Sequence, residues 1–435
     1  MAMNNDTIVA ISTPTGVGGI AVVRISGGDA YDVAMAHLSV AVLEPRKATY
    51  CRFDDIDDIV ATYFPRGYTG EPTVEFACHG SLYVQQAILQ ALIDDGARLA
   101  EAGEYTMRAF LNGRMNLSQA EAVADLIDAV TPAQHRLAVS QLRGSYAQKL
   151  KELRQQLLDL TSLLELELDF SQEDVEFADR TQLRRLLEAL HLQLSALIES
   201  FALGNALKRG IPVAIAGAPN AGKSTLLNAL LGDDRAIVSA IPGTTRDTIE
   251  ELLTVDGITF RIIDTAGLHS TDNEVENMGI ERNRRAVADA SLVIYLHDST
   301  LPWCEPEVDL GGKKTITVLT KTDLDSDAPT APQSAIRIAA KNGEGLDTLK
   351  AAMVAAVRGD MHDSDTLVSN QRHYEALLRV QEALQRVEKG LDDGIPSDLV
   401  AVDLRDALYN LGTITGEVTN NEILGNIFSR FCVGK

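Results

Sequence analysis

The stretch GAPNAGKSTLLNAL, which starts at Gly217, has the residue types and spacing of a loop that binds nucleotide phosphates. Gly217, Gly222, Lys223 and Ser224 fit the pattern G-x-x-x-x-G-K-[ST]. The glycines let backbone N–H groups curl around phosphates, the lysine neutralises the β- and γ-phosphates, and the serine hydroxyl binds magnesium. A chance glycine-rich turn is the alternative. The apolar run IPVAIAG before the loop predicts a strand and KSTLLNALLG predicts a helix, and this context favours phosphate binding.

Later stretches indicate that the bound base is guanine. DTAG, at residues 264–267, follows the predicted strand TFRIID and offers an aspartate to the magnesium shell and the Gly267 amide to the γ-phosphate. The segment TITVLTKTD ends at Asp323, whose carboxylate can accept the N1–H and 2-amino protons of guanine, which adenine does not offer. IAAKNGEG then places Ala340 and Lys341 in the position of a base-contacting loop.

Two positions depart from common GTPase patterns. Thr320 stands where an Asn is usual, which predicts a smaller polar contact and weaker affinity. Leu268 stands where many small GTPases carry a Gln that positions water, so the group that assists hydrolysis must come from elsewhere. Between these motifs, IPGTTRD predicts a switch in which Thr245 closes over magnesium and the γ-phosphate. Asp256-Gly257 predicts a hairpin turn and one antiparallel edge strand.

Composition sets limits on the class of protein. With 435 residues the chain is long enough for about two to four domains. Its formal charge of −23 disfavours general binding to nucleic-acid backbones. The first residues, MAMNNDTIVAIS, predict no secretory signal, and no uninterrupted apolar run of about 18 residues predicts a membrane span. Four cysteines without metal-type spacing suggest a reduced, cytoplasmic setting.

Three kinds of sequence pattern follow one another along the chain. The first part mixes strand-like runs such as TIVAIS and GIAVVRIS with a helix at SLYVQQAILQALIDDGA, which predicts an α+β domain. A capping-box pattern formed by Ser118 and Glu121 then predicts the start of long amphipathic helices. Amphipathic helices return after the α/β block, which predicts a helical domain with another domain inserted in it. The predicted boundaries are 1–117, 118–208 and 359–435 for the N-terminal and two helical parts, and 209–358 for the insert.

The chain resembles the MnmE (TrmE) family of tRNA-modification GTPases. The resemblance rests on DTIVAISTPTGVGGIAVVRISG, RAFLNGRMNLSQAEAVADLIDA, the phosphate loop with Asn220, the switch GTTRD, DTAGLHSTDNEVENMGIER and the final FCVGK. It runs from end to end and includes stretches that generic GTPases lack. It implies an α+β N-terminal folate-binding and dimerisation domain, an all-α helical domain and an inserted α/β Ras-like P-loop G domain.

For hydrolysis, the resemblance implies a potassium ion beside the phosphates that replaces an arginine finger. Asn220, Ser239, Ile241 and Thr244 would hold it, while Ser224 and Thr245 bind magnesium. The resemblance assigns orientation of the attacking water to Glu276; the alternative is that Glu276 belongs to a solvated acidic face. The residues expected to contact GTP are Asn220, Ala221, Gly222, Lys223, Ser224, Thr225, Ser239, Ala240, Ile241, Pro242, Gly243, Thr244, Thr245, Asp264, Thr265, Ala266, Gly267, Thr320, Lys321, Thr322, Asp323, Ala339, Ala340 and Lys341.

The resemblance also implies a folate site, for 5-formyl- or methylene-tetrahydrofolate, formed by Arg24, Glu75, Arg114 and Lys435. Arg114 replaces a lysine usual in the family, which keeps the charge and changes the geometry. Without the resemblance, each of these residues is equally well a surface or strand-end charge. Cys432 matches a cysteine linked to the modification reaction; the alternative is an ordinary buried small hydrophobe.

The partners that the resemblance implies are a second copy of the chain, the FAD-containing MnmG (GidA) protein in a heterotetramer, tRNA and GTP, without a membrane. The reaction would modify C5 of the wobble uridine. Two rival functions stay open from the residues. A ribosome-assembly GTPase would need a basic RNA-binding appendage, which the acidic helical flanks disfavour. A folate-dependent transferase with a vestigial GTPase is disfavoured by the intact Lys223, Ser224, Thr245 and Asp264.

Overall fold

The chain folds into two compact units, each of which is assembled from separate parts of the sequence. The structure, a computed structural model, describes residues 6–170, 180–232, 250–263, 286–305, 310, 312–324, 332–358, 367–429 and 431–434. The first unit comprises Met1–Ile127, Gln141–Leu186 and Glu382–Lys435, and the second comprises Asp128–Ser140 and Leu187–Gln381. The helical segments are divided between the two units.

A six-stranded sheet forms the centre of the first unit, in the order β3-β4-β5-β2-β1-β6. All neighbours are antiparallel except β1 and β6, which are parallel. The two strands and the helix predicted from the sequence in this region are confirmed. The elements are β1 (Ile8–Ile11), β2 (Ile20–Ser26), α1 (Ala30–Ala36), β3 (Thr49–Phe53), β4 (Asp57–Phe64), β5 (Thr73–His79), α2 (Leu82–Asp94), β6 (Arg98–Leu99) and α3 (Glu104–Leu111).

Alternation along the strands gives this sheet two different faces. Val23 and Ile25 of β2 point into a core that also contains Val74 and Phe76 of β5 and is covered by α1 and α2. On the opposite face, Ile8 and Ala10 of β1 pack against the fully buried Tyr105 of α3. Arg24 lies directly across from Ala10, so its side chain belongs to this second face.

The helical part of the first unit begins with a cap that differs from the predicted one. Asn116 Oδ1 accepts a hydrogen bond from the Gln119 N–H at 2.9 Å, and Gln119 Oε1 accepts one from the Asn116 N–H at 3.1 Å. This reciprocal pair is a capping box two residues upstream of the predicted Ser118–Glu121 pair. The prediction was wrong because both pairs fit the same four-residue pattern, and Ser118 lies inside the helix, buried.

Long helices continue from this cap. In the first unit, the helix Ser145–Phe170 packs along the helix Ser397–Thr415. The first of these helices has buried leucines at helical spacing, Leu153, Leu157 and Leu160. The remaining helices are α4 (Leu117–Asp128), α5 (Pro132–Leu142), α6 (Ser145–Phe170), α7 (Arg180–Arg209), α8 (Lys223–Gly232), α9 (Leu346–Arg358), α10 (Gln371–Asp392), α11 (Ser397–Thr415) and α12 (Asn421–Phe428).

The second unit contains a six-stranded sheet in the order β12-β11-β10-β7-β9-β8. Five strands are parallel and β8 is an antiparallel edge strand joined to β9 by Asp256 and Gly257, whose φ angles are both positive (49° and 77°). The predicted hairpin and edge strand are therefore confirmed. The strands are β7 (Ile211–Gly217), β8 (Glu250–Val255), β9 (Ile258–Ile263), β10 (Leu292–Asp298), β11 (Lys314–Thr320) and β12 (Ile336–Arg337).

One helical segment combines length with apolar character. Within the described residues, Leu183–Arg209 of α7 has a mean hydropathy of 1.3 over an 18-residue window, enough by length and composition alone to cross a membrane. Helices of water-soluble domains meet the same criterion, so this property does not define a membrane span.

Candidate functional site

The predicted phosphate loop connects β7 to α8 and depends on glycine at two positions. Gly217 has φ +151°, and a Cβ atom there would lie 2.5 Å from the carbonyl oxygen of Leu296 on β10. Gly222 has φ +95° and Asn220 has φ +62°, so the chain bends sharply between strand and helix. The loop is thus pressed against the sheet and ends at the N-terminus of α8, where unpaired backbone N–H groups favour an anion.

Lys223 is already turned towards this loop. Its ammonium Nζ donates to the carbonyl oxygens of Gly217 at 2.7 Å and Ala218 at 3.1 Å. Burial lowers the pKa of Lys223, because the loop removes water from the charged group without supplying a carboxylate. Ser224 and Thr225 are exposed on the first turn of α8. A triphosphate fits this arrangement, because it would supply the negative charge that Lys223 lacks and would meet the open first turn.

Thr320 links the predicted base-binding segment to the phosphate loop. Its buried hydroxyl, at the end of β11, donates to the carbonyl oxygen of Ala221 at 2.7 Å, and the carbonyl oxygen of His297 lies 3.2 Å away. The departure from Asn noted in the sequence therefore retains a hydrogen bond between the two segments. No such contact could be read from the local sequence, because Thr320 and Ala221 are far apart along the chain.

The two base-contacting segments are neighbours. The Ile338 N–H donates to the carbonyl oxygen of Leu319 at 2.8 Å, and the Thr322 N–H approaches the carbonyl oxygen of Ile338 at 3.4 Å. The structure thus brings the predicted residues Thr320 to Asp323 beside Ala339, Ala340 and Lys341. Asp323 and Lys341 are exposed, so both are accessible to a base that enters from solvent.

Part of the predicted GTP site lies outside the described residues. These positions stay predictions from the sequence: Ser239, Ala240, Ile241, Pro242, Gly243, Thr244, Thr245, Asp264, Thr265, Ala266, Gly267 and Glu276. Of the residues assigned to potassium, the structure describes Asn220, which is exposed in the loop.

In the first unit, two of the predicted folate residues form an ion pair. Arg24 on β2 and Glu75 on β5 are directly opposite in the antiparallel register. Arg24 Nη2 and Nε lie 2.8 and 2.9 Å from Glu75 Oε1. Both nitrogens contact the same oxygen, and Oε2 has no hydrogen-bond partner among the described residues. The rings of Tyr68 and Tyr105 lie 5.8 and 5.6 Å from the Arg24 guanidinium. An aromatic ring with amino groups fits such a set of cationic, anionic and aromatic side chains.

A line of hydroxyl groups leads from this pair towards the third predicted residue. Ser26 Oγ lies 2.7 Å from Thr69 Oγ1 and 3.1 Å from Thr73 Oγ1. Gly70, next in the chain after Thr69, has φ +87°, and a Cβ atom there would lie 3.1 Å from Cγ of Arg114. Arg114 is exposed against this turn. Lys435 lies outside the described residues.

A partly buried ion cluster, which no sequence pattern predicted, lies beside these hydroxyl groups, because Glu71 lies near both Arg108 and the Ser26 hydroxyl. Arg108 Nη2 lies 2.9 Å from Glu104 Oε1 and 2.7 Å from Asp6 Oδ1, and Arg98 Nη2 lies 2.7 Å from Glu104 Oε1. Burial alone would raise the pKa of Glu104, but hydrogen bonds from Arg98, the Glu101 N–H and Arg108 hold it below its ordinary value. The spacing of Glu104 and Arg108, four residues apart on a helix, was the one available sequence signal.

The C-terminal segment lies on the N-terminal domain. Ala102 and Val433 form an antiparallel bridge, and the Gly103 N–H approaches the carbonyl oxygen of Cys432 at 3.4 Å. Gly434 has φ +92°, and a Cβ atom there would lie 2.4 Å from the carbonyl oxygen of Ile11. Cys432 is an exposed free thiol, so the alternative that it is a buried hydrophobe is wrong. The segment therefore lies against the end of β1 at Gly434, next to the strand that carries Arg24, and Cys432 lies two residues earlier beside Gly103.

Among the described residues, no group of three or more His, Cys, Asp and Glu side chains is arranged to hold a metal ion. Ser224, the one predicted magnesium-binding residue described, has a single hydroxyl, so a metal there would need ligands from the nucleotide and from residues outside the described part.

Comparison with known proteins covers the whole chain. Residues 117–432 match the family described as the MnmE helical domain, and residues 7–114 match the GTP-binding protein TrmE N-terminus. The tRNA modification GTPase MnmE of Flavobacterium johnsoniae is 44% identical, with 100% of both chains covered. The protein of the same name from Parabacteroides distasonis is 46% identical, with 99% of this chain and 100% of that one covered.

A solved structure, the G domain of the T. maritima FeoB iron transporter, is 31% identical over 34% of this chain and 98% of that chain, with a TM-score of 0.24. The family assignment depends on the two family matches and the full-length relatives. They confirm the predicted architecture of an α+β N-terminal domain, an all-α helical domain and an inserted α/β Ras-like P-loop domain. The chain therefore belongs to the MnmE family of tRNA modification GTPases.

Proposed function

We propose that this GTP hydrolase is activated by potassium and that, with the flavoprotein MnmG, it modifies C5 of the wobble uridine of certain tRNAs. The modification would install a carboxymethylaminomethyl or aminomethyl group from a folate one-carbon unit. The observation that carries the GTPase part is the phosphate loop: Gly217 is locked against β10, Lys223 is drawn into the loop, and Thr320 joins the loop to the base-binding segment.

The residues of the chain divide the work of binding GTP. Backbone N–H groups of the loop and of the first turn of α8 bind the phosphates, and Lys223 moves its ammonium from loop carbonyls to the β- and γ-phosphates. Ser224 and Thr245 would hold magnesium. Asp323 accepts the guanine N1–H and 2-amino protons. The exchange of carbonyl contacts for phosphate contacts favours binding of the triphosphate.

Hydrolysis needs charge stabilisation that the described side chains do not supply. Asn220, with Ser239, Ile241 and Thr244, would hold potassium, which supplies positive charge where negative charge develops between the phosphates. Glu276 would orient the attacking water. Because Leu268 lacks a hydrogen-bonding group, Glu276 takes the role that a Gln has in many small GTPases.

The folate site would be built on the first unit. Arg24, Arg114 and Lys435 would meet the negative glutamate tail of 5-formyl- or methylene-tetrahydrofolate, and Glu75 would pair with the amino-pyrimidine side of its ring. The Arg24–Glu75 pair and the two tyrosines near it support this assignment. The exposed Cys432 thiol, held on the same domain, would act in the modification rather than in GTP hydrolysis.

The assembly we propose is a cytoplasmic homodimer that joins MnmG, with its FAD, in a heterotetramer. The formal charge of −23 supports a division of labour in which the partner supplies most of the contacts to the tRNA backbone. Meeting and separation of the two G domains would follow the GTP cycle.

The potassium step is tested by comparing GTP turnover of the full chain in KCl and NaCl at equal ionic strength. We expect turnover in KCl to exceed turnover in NaCl at least tenfold, a loss of about 1.4 kcal/mol or more of transition-state stabilisation in sodium. Asn220→Ala should remove the difference between the salts. Equal wild-type rates in both salts would contradict the proposal.

The modification step is tested by nucleoside analysis of tRNA from cells that lack the gene. We expect loss of the C5-modified wobble uridine, restoration by the wild-type chain, and no restoration by Lys223→Ala. A Cys432→Ser chain should hydrolyse GTP at the wild-type rate and fail to restore the nucleoside. Unchanged nucleosides in the deletion strain would refute the assignment to wobble uridine.

A further inference from the structure

We propose that Asp298 is a positioning residue of the guanine site, which holds Lys321 so that the hydrocarbon stem of Lys321 covers one face of the base. The inference rests on the proposed role of Lys321 in GTP binding and adds a residue that none of the sequence motifs includes.

The backbone brings the two residues together. Asp298 ends β10 and is the register partner of Thr320, which ends the adjacent parallel strand β11. Lys321 follows at once with φ +58°, a left-handed conformation that is uncommon for a residue with a side chain. This bend turns the Lys321 side chain back across the strand ends towards Asp298, instead of onward into the next loop.

The contact itself is short and partly shielded from water. Lys321 Nζ lies 2.5 Å from Asp298 Oδ2, with the Asp298 side chain 12% exposed and the Lys321 side chain 36% exposed. Pairs between fully exposed charges contribute little, but shielding of the carboxylate strengthens this one. The ammonium end is therefore fixed while part of the stem remains accessible.

The Asp298 carboxylate is itself fixed in position by hydrogen bonds from Thr300. Its second oxygen, Oδ1, accepts hydrogen bonds from the Thr300 N–H at 3.0 Å and the Thr300 hydroxyl at 2.7 Å. Burial alone would raise the pKa of Asp298, but the hydrogen bonds from Lys321 and Thr300 hold it below its ordinary value, so the carboxylate is charged at neutral pH. Oδ1 of the Asp298 carboxylate thus accepts hydrogen bonds from Thr300, and Oδ2 accepts one from Lys321.

Pairing with Asp298 would favour guanine binding because it orders the Lys321 side chain in advance. A lysine has four rotatable bonds, and ordering it on a ligand opposes binding through lost side-chain entropy. Here the ordering is completed before GTP arrives, because the charge is already paired. The purely structural alternative is that the pair stabilises the strand ends and leaves nucleotide affinity unchanged.

The test uses the full-length chain and a fluorescent GDP analogue, with Asp298→Asn, Lys321→Met and the double variant. Asp298→Asn keeps the size and the acceptor for Thr300 and removes the charge. We expect each single variant to raise the Kd for GDP and the KM for GTP about 5- to 10-fold, less than the loss of a fully buried charged hydrogen bond would cause, because Lys321 is partly exposed. For Asp298→Asn, kcat should stay within about twofold of wild type. The double variant should be no weaker than Lys321→Met alone, because Asp298 acts through Lys321.

Glu44→Gln is the matched control, since it removes the carboxylate of an exposed pair with Lys47 and should change neither constant. A Kd within twofold of wild type for Asp298→Asn overturns the inference, as does a further loss in the double variant. If Asp298→Asn has a much lower melting temperature than the wild type, the Kd of Lys321→Met tests the inference instead. Lys321 is partly exposed, so its substitution is expected to disturb the fold less. A wild-type chain that fails to prefer GTP over ATP would refute the proposed function instead, so the two failures are distinguishable.

Discussion

The hydroxyl of Thr320 donates to the carbonyl oxygen of Ala221 across 2.7 Å and so fastens the base-binding segment to the phosphate loop. Thr320→Val keeps the shape of the side chain but leaves a buried carbonyl without its donor. We expect the free energy of unfolding of the G domain to fall by about 1–3 kcal/mol. Chemical denaturation of the full chain, followed by a probe in the G domain, measures the change. Thr320→Ser retains the hydroxyl, and a loss as large as that of the valine variant would contradict this explanation.

Gly217 has no room for a side chain. In Gly217→Ala the new Cβ would lie 2.5 Å from the carbonyl oxygen of Leu296, at a φ of +151° that residues with side chains rarely adopt. We expect the loop to move off β10 and GTP binding to fall at least tenfold, measured by titration with a fluorescent nucleotide. Gly232→Ala is the control, because nothing lies within 4 Å of a Cβ there. Wild-type affinity in Gly217→Ala would show that the loop tolerates displacement.

The ion cluster around Glu104 predicts a pH dependence of stability in the N-terminal domain. The pKa of Glu104 is lower in the folded chain than in the unfolded one, so its contribution is present above the unfolded value of about 4.3 and is lost as the pH falls through the folded value. We expect the melting temperature of this domain to drop steeply below about pH 4. Glu104→Gln should be less stable at pH 7, because it removes the most buried carboxylate that pairs with Arg108 and Arg98 and leaves Arg108 with Asp6 and Glu71. The stability of this variant should also fall less steeply as the pH is lowered. If the melting temperature of Glu104→Gln fell with pH as steeply as that of the wild type, a group other than Glu104 would cause the pH dependence.

Gly434 predicts how firmly the C-terminal segment is attached. Gly434→Ala introduces a Cβ atom 2.4 Å from the carbonyl oxygen of Ile11, and we expect the bridge between Ala102 and Val433 to open. Hydrogen exchange of the backbone N–H groups in residues 431–434 should become faster, while GTP turnover stays within about twofold of wild type. Gly425→Ala, where a Cβ meets nothing within 4 Å, serves as the control. Unchanged exchange in Gly434→Ala would mean that the segment is held by other contacts.

Local chemistry made part of this molecule predictable. The phosphate loop and the Asp256-Gly257 hairpin each depend on residues that are adjacent in the sequence, and both lie where the pattern predicted. The capping box was misplaced because Asn116 and Ser118 begin overlapping patterns, and only the packing of Ser118 decides between them.

The remaining features depend on contacts between distant segments. The pairing of Arg24 with Glu75 follows from the register of β2 and β5, which no local pattern fixes. The ion cluster joins Asp6 to Arg98 and Arg108, which are more than 90 residues away from Asp6 in the sequence. No local pattern marks these residues as partners, because the folded sheet brings them together. Thr320 was predicted from the sequence to make a smaller contact, and the structure identifies its acceptors, Ala221 and His297. The effect on GTP affinity remains a prediction.

The bridge between Ala102 and Val433 joins the first domain to a segment from the opposite end of the sequence. The ribosome makes Ala102 long before Val433, so the Ala102 side of the bridge lacks its partner while the helices and the G domain are translated. A segment of a nascent domain that lacks its native partner is open to misassociation during that interval. Chaperone dependence during synthesis should therefore fall once Val433 has left the exit tunnel.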